Sequence, residues 1–394
     1  MRHPFSLTIT WNAHSADRAN NWQSIVIAFV RALAAIEVAA SHIRALFYPG
    51  MRTIADPSLW FQGFAFFTGF GHQAVLLFFI ISGWLVGGSL LDKWQQRDVI
   101  AHYAIDRVTR LWTVLIPVFI LTLLLGIASG QLDATAIDYG STKDFSMLTL
   151  IGNLVGLQMM AVPTFGNNFA LWSLSNETWY YLMFPLLIVM VRTTRLAVRT
   201  MCALFLTLLT LTLPPVMLLY FVVWLMGTAC SRIQINCSRF ARVGFVVAAM
   251  IMSVYFRLTG ITDDLSAASF LSDVVLCSLF LLVLCSLQNS AVPSSPVTLR
   301  FAAIGRYFAE FSFTLYVIHV PLIQMMKHGI LKLTGVGQLS PSNPVHLAWC
   351  AGMLCLVIAS AWLFYLMFES RTPTIRKWAK RKLLRAAPQG AVTA

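Results

Sequence analysis

The sequence predicts an all-α fold, a polytopic transmembrane helical bundle of about ten spans, and three observations predict it. Only 11% of the residues are charged and 58% are hydrophobic, whereas an ordinary soluble domain is about a quarter charged. So few charges cannot cover a water-facing surface of this size, but they suit a surface that faces lipid. The apolar residues come in blocks, and a helix crosses a bilayer with about 17–25 such residues. The blocks are continuously apolar rather than alternating, which favours helices over a barrel. Mean hydropathy, at +0.74, agrees.

In chain order the candidate spans are 23–47, 72–91, 111–130, 169–191, 197–213, 215–231, 243–257, 270–288, 308–331 and 346–368. Pro214-Pro215 separates the fifth from the sixth, because proline cannot continue a helix. Before the third span, 97–110 is basic and amphipathic and reads as an interfacial segment. The longest connection, 131–168, holds Asp133 and Asp138 and then an apolar stretch, 147–162, that re-enters the membrane or lies on its surface. The chain divides into an N-terminal cytoplasmic segment, 1–22, a transmembrane domain, 23–370, and a basic cytoplasmic tail, 371–394, read as a solvated end near lipid. Residues 1–22 lack the apolar core of a cleavable signal peptide, and the first apolar run is read as retained. The seven cysteines lie mostly inside spans without metal-like spacing and read as small packing residues, so neither a metal nor a disulfide framework is expected. No internal repeat is visible, which weakens a transporter reading built on inverted repeats.

The net charge of +13 raises nucleic acid as a partner, but the charges sort by loop. With residue 1 in the cytoplasm, the inside connections hold Lys93, Arg97, Arg107 and Arg110, then Arg192, Arg195 and Arg199, then Arg232, Arg239 and Arg242, then Arg300 and Arg306. The tail adds Arg371, Arg376, Lys377, Lys380, Arg381, Lys382 and Arg385. The outside connections hold Asp133, Asp138, Lys143 and Asp144, then Asp263 and Asp264, then Lys327 and Lys332. This is the positive-inside pattern, with both termini cytoplasmic. The basic charge is therefore topology and attraction to anionic lipid, and no nucleic-acid partner is expected.

Polar groups inside a bilayer are costly and mark function. Arg31 and His42 lie eleven residues apart in the first span. At about 100° per residue they fall within about 20° of one face, about 16 Å apart along the axis. His42 alone reads equally as a packing residue or as a functional base, and the aligned Arg31 favours the second. Glu37 lies between them, points elsewhere and reads as a structural partner of another helix. Arg107 and Arg110 are neighbours at i, i+3; they suit phosphate or serve only as positive-inside anchors. Glu177 sits one turn into a span, in the polar and aromatic stretch Trp172-Ser173-Leu174-Ser175-Asn176-Glu177. Ser312, Tyr316 and His319 share a helix face at i, i+4 and i+7, for structural hydrogen bonds or for catalysis.

These stretches together resemble acyltransferase family 3, the integral membrane O-acyltransferases of bacteria. Arg31 with His42 is similar to the family's first-span Arg-x10-His. Phe78-Phe79-Ile80-Ile81-Ser82-Gly83-Trp84-Leu85 is similar to its second-span motif, and Arg107-x-x-Arg110 to its cytoplasmic Arg-x-x-Arg. Trp172 to Glu177 resembles its WSLSxE motif, and Ser312 to His319 with Pro321 its late polar helix. The resemblance runs from about Arg31 to about Glu369. Ala28 departs from an acidic residue often found before the first-span Arg, and Trp84 and Trp179 stand where Phe is commoner, which bears on pocket shape.

The resemblance implies an acyltransferase of the cell inner membrane. It would move an acyl group, usually acetyl, from acetyl-CoA or another acyl-CoA to a hydroxyl of an envelope, lipid-linked or secreted carbohydrate such as a polysaccharide. His42 is then the base or a transient acyl acceptor. Arg31 holds the donor or stabilises developing negative charge, and Glu177 orients His42 or binds sugar hydroxyls. Arg107 and Arg110 meet CoA phosphates. Ser82, Trp172, Ser173, Ser175, Tyr316 and His319 line the substrate and donor site. Acyl-CoA is a substrate, and no permanently bound cofactor is expected. The alternatives are succinyl or longer acyl transfer by the same scaffold, and a proton-coupled transporter or exporter using the intramembrane charges.

Overall fold

The computed structural model describes residues 7–12, 21–130, 132, 144–259, 265–288 and 295–384. Asp133, Asp138, Lys143, Asp263, Asp264 and Arg385 lie outside the described residues. The helices are α1 (Trp22–Phe47), α2 (Leu59–Phe67), α3 (Gly71–Ser82), α4 (Gly88–Asp92), α5 (Val99–Ala128), α6 (Met147–Leu154), α7 (Trp172–Arg192), α8 (Leu196–Thr212), α9 (Pro215–Cys230) and α10 (Arg239–Leu258). They continue as α11 (Phe270–Leu287), α12 (Pro296–Glu310), α13 (Ser312–Thr334), α14 (Pro344–Met367) and α15 (Thr372–Leu384). A π-helical turn, Gly83–Gly87, joins α3 to α4.

Each apolar segment of the sequence contains a helix, but the count of about ten spans is not reproduced. Among the described residues, six helical stretches are long and apolar enough to cross a membrane, or seven if α12 and α13, bent by 51°, form one span. The helices α8 and α9 are apolar but shorter, and α7 carries a polar N-terminal half. The basic segment 97–110 runs straight into the third span, the two joined in one 30-residue helix, α5, because no proline or glycine interrupts the chain there.

Helix α5 is apolar on two faces. Leu111, Val114, Leu115, Val118 and Phe119 are buried, while Trp112, Ile116, Ile120 and Leu124 form an exposed stripe at four-residue spacing. No residue of α10 is buried, although it carries exposed Val243, Val247, Met250, Ile251 and Val254. A helix exposing this much apolar surface belongs in lipid.

Among the described residues the fold is nearly all-α, with a short two-stranded ribbon that the sequence pattern did not reveal. Strand β1 (Thr8–Trp11) pairs antiparallel with β2 (Ile233–Asn236), Thr8 opposite Asn236 and Trp11 opposite Ile233. Four residues are too few for alternation to register, and the partner is distant in sequence. The tail differs too. Residues expected to be a solvated end form α15 over Thr372–Leu384, docked on α5, with Thr372 and Ala379 buried.

The core centres on α1, which packs against α3, α12 and α13. Its start is fixed by Asn21, whose side chain accepts the Ser24 N–H at 2.8 Å, a standard N-cap. Helix α9 lies against α3 and the π turn at backbone contact distance. A Cβ at Gly83 would overlap the Trp224 carbonyl, and one at Gly227 would overlap the Ile80 carbonyl. Small residues that allow such close approach are how membrane helices associate. Away from the cavity described below, His72 Nε2 donates to Asp273 Oδ1 at 2.8 Å, and the Tyr220 hydroxyl donates to Asp273 Oδ2. Removing one member of such a buried group strands the others, which costs about 3–5 kcal/mol. Asp273→Ala is therefore expected to lower the midpoint of thermal unfolding in detergent sharply; an unchanged midpoint would show that the cluster does not hold α3 to α11.

Candidate active site

A cavity of about 300 Å³ lies between α1, α3, α5, α7 and α13, and Arg31, Ser82, Arg107, Arg110, Ser173, Glu177 and Tyr316 line it. Local helix geometry explains why these residues meet. On α7, Ser175 Oγ and Trp179 Nε1, one turn apart, both donate to the Gly156 carbonyl, at 2.7 and 2.9 Å. Gly156 has φ +80°, where a Cβ would press on Thr178, so glycine is needed there. That anchor turns the opposite face of α7, with Ser173, Glu177 and Tyr181 at four-residue spacing, into the cavity. On α5, Arg107 and Arg110, three residues apart on one face, also line it.

Glu177 is the cavity's acidic centre. Its Oε1 accepts from Ser82 Oγ at 2.6 Å and from the Tyr181 hydroxyl. Ser82 in turn accepts from Trp224 Nε1 at 3.2 Å. The Arg107 guanidinium stacks over the rings of Tyr103 and Tyr181, at 5.8 and 5.6 Å, and Arg110 lies 5.4 Å from the Phe313 ring. Such contacts steady a cation without consuming its N–H donors. Arg31 Nη2 donates to Ser312 Oγ at 3.2 Å.

His42 and His319 meet. His42 Nδ1 and His319 Nε2 are 2.8 Å apart, with the rings stacked at 5.0 Å. His319 Nδ1 lies 3.2 Å from the Leu315 carbonyl, which can only accept, so Nδ1 carries a proton. With both rings neutral, His319 Nε2 is then an acceptor and His42 Nδ1 its donor. His42 Nε2 is left as the unprotonated nitrogen, its tautomer fixed through its neighbour.

Neither imidazole lines the cavity, contrary to the expectation that His319 shares it with Tyr316. Tyr316 stands between. Its hydroxyl is 2.6 Å from Ser173 Oγ and 3.0 Å from the Ala170 carbonyl, and its ring is 5.7 Å from that of His319. The helical turn that aligns Ser312, Tyr316 and His319 places His319 one layer behind. Pro321 lacks the N–H that would bond the Val317 carbonyl, and Asn168 Nδ2 donates to that carbonyl instead, at 2.9 Å. This bond ties α13 to the start of α7.

Other sequence candidates lie elsewhere. Ser175 is fully buried on the Gly156 anchor, and Trp172 packs edge-on against Phe79 rather than lining the cavity. Glu177 bonds Ser82 and Tyr181, not His42. Glu37 accepts the Phe70 N–H at 2.8 Å, which is the structural partnership expected of it.

Residues 26–366 match the family model described as an acyltransferase domain, that of acyltransferase family 3. The chain belongs to acyltransferase family 3. It is also similar to Acyltransferase MdmB of Streptomyces mycarofaciens, at 26% identity over 364 residues, 82% of this chain and 86% of that protein. No solved structure matches significantly. The family 3 chain is thus an acyltransferase with the character of a membrane protein.

Three residues of this family 3 site escaped the sequence reading. Tyr181 continues the four-residue spacing from Ser173 and Glu177, a signal that was present. Glu369 is buried where Thr314 N–H and Oγ1 donate to it, at 3.2 and 2.5 Å. Arg376 lines the cavity from α15 and was counted only as tail charge.

Proposed function

We propose that this family 3 enzyme is a membrane-embedded O-acyltransferase. It moves an acyl group, acetyl in the first instance, from cytoplasmic acyl-CoA to a hydroxyl of an envelope, lipid-linked or secreted carbohydrate. It would lie in the cell inner membrane with about ten spans and both termini cytoplasmic. The observation that carries the reading is the polarity of the site. Arg31, Arg107 and Arg110 share the cavity lining with Tyr316 and Ser173, and Tyr316 packs against the His42–His319 pair.

In this reading the arginines bind phosphate and the thioester arm reaches toward Tyr316. His42 Nε2 takes the proton of the acceptor hydroxyl as its oxygen attacks the thioester carbonyl. The C–S bond breaks, and the leaving CoA thiolate takes up a proton to become free CoA as His42 gives up the one it accepted, so that the base is restored. A general base contributes about 100- to 10,000-fold in such transfers. Arg31 offsets charge that develops on the carbonyl oxygen, and Glu177 holds Ser82 and Tyr181 in place. With phosphate on the arginines and the base behind Tyr316, the acyl group would pass between faces of the membrane.

The test supplies membranes with and without the protein with labelled acetyl-CoA, succinyl-CoA and longer acyl-CoAs, and follows label into glycan. Protein-dependent label from acetyl-CoA supports the reading. Label only from another donor corrects the acyl group. Substrate flux without acyl-CoA dependence would replace the enzyme with the transporter.

A further inference from the structure

Helix α15 begins at Thr372, after the region matched to the family ends at 366, so the shared family pattern does not account for it. Arg376 and Lys380, one turn apart, face α5. Lys380 Nζ lies 2.6 Å from Asp106 Oδ1, and Arg376 Nε lies 3.7 Å from the same oxygen. One carboxylate thus serves two cations. Arg376 reaches the cavity of about 300 Å³. Lys380 lines a second hollow of about 120 Å³, with Lys93, His102, Asp106 and Arg107. The two spaces share Val86, Ser89 and Arg107 as a common wall. Lys93 and Gln96 at the rim of the second are exposed, so it opens at the surface.

The charge across the two spaces is unbalanced. Among the described lining residues, Arg31, Arg107, Arg110, Arg376, Lys93 and Lys380 face the carboxylates of Glu177 and Asp106, with Glu369 buried near Arg31 and Arg110 as a third. In addition, the Nε of Arg107 is buried without a hydrogen-bond partner, and the buried Nε of Arg376 has the Asp106 ion pair at 3.7 Å but no hydrogen bond. Buried donors of this kind are costly unless satisfied, and a cationic excess draws an anion. An acyl-CoA carries about two charges on its diphosphate and up to about two on its 3′-phosphate, close to the cationic excess. The narrow hollow beside the larger cavity separates two anionic sites along one ligand.

We infer that α15 completes the donor site, with Lys380 and Lys93 binding the 3′-phosphate of acyl-CoA in the outer hollow while Arg376 joins Arg107 and Arg110 on the diphosphate. This rests on the acyl-CoA reading above. The ion pairs to Asp106 hold α15 over α5 with its cations facing the ligand. A phosphate monoester fits this place because clustered ammonium groups bind it as point charges.

The experiment compares KM for acetyl-CoA and for 3′-dephospho-acetyl-CoA in membranes carrying the wild type, Lys93→Ala, Lys380→Ala or Lys380→Arg. The wild type is expected to favour acetyl-CoA about ten-fold. Lys380→Ala and Lys93→Ala are expected to shrink that preference severalfold, and Lys380→Arg to restore most of it. Lys93 is exposed and lies outside α15, so its variant does not depend on the docking of that helix. Equal KM values for the two donors with the wild type would overturn the inference, while transfer itself would leave the acyl-CoA reading standing. Equal losses on both donors in the variants would assign the lysines a structural role and overturn it too. Wild-type membranes that use no CoA thioester would overturn both readings together.

Discussion

His42→Ala is expected to lower kcat for acyl transfer about 100- to 10,000-fold, the usual contribution of a positioned general base, with a small change in KM for acyl-CoA. The Leu315 carbonyl fixes His319, and His319 fixes His42, through a chain of two hydrogen bonds at 3.2 and 2.8 Å. His42 Nε2 is left with a lone pair. The donor cavity is lined by other residues, so removing the imidazole should spare donor binding. His319 is a positioning residue in this account. His319→Ala should lower kcat less than His42→Ala does, and His319→Gln, whose amide oxygen can still accept from His42 Nδ1, should recover part of the loss. A large rise in KM with kcat retained in His42→Ala would move His42 from the chemistry to binding.

The double variant Arg107→Ala, Arg110→Ala is expected to raise KM for acyl-CoA about 100-fold or more. Hydrogen bonds to charged groups contribute about 1.5–3 kcal/mol each, and each 1.4 kcal/mol is a factor of about ten. Arg107 is steadied on the faces of Tyr103 and Tyr181 and Arg110 beside Phe313. Their donors are thus pre-placed, and little ordering offsets the gain. Lysine keeps the charge but not the planar fork, so Arg107→Lys, Arg110→Lys should recover only part of the affinity. A double alanine variant with unchanged KM would make the pair a topology signal alone, the other reading that its position at the start of α5 allows.

Much of this was legible in the sequence, because one helix face is a local property. The spacing of Arg31 and His42 puts both toward α13, where Ser312 and His319 meet them. The i, i+4, i+7 run of Ser312, Tyr316 and His319 likewise forms a face toward α7 and α1. What failed was depth and partnership. A face does not say which of its residues reach a cavity, and His319 lies behind Tyr316. Ser175 belongs to the same short motif as Ser173 but points about 200° away around the helix, toward Gly156. Glu369 and Arg376 depend on how the chain turns after α14, which no local pattern reports. The β1–β2 ribbon joins segments more than 200 residues apart in sequence. The span count exceeded the helices that pass by length and composition because α8 and α9 are apolar yet short, a mismatch that a local bilayer adjustment accommodates, and α7 is long enough but polar in its N-terminal half.

The most direct test of the central claim, acyl-CoA-dependent transfer with the donor reached from the basic end of the bundle, uses sealed membrane vesicles of known orientation and labelled acetyl-CoA, which does not cross the bilayer. Inside-out vesicles, whose cytoplasmic face meets the added donor, should incorporate label into glycan, and sealed right-side-out vesicles should not until they are opened. Incorporation by sealed right-side-out vesicles alone would place the donor site on the opposite face and contradict the account.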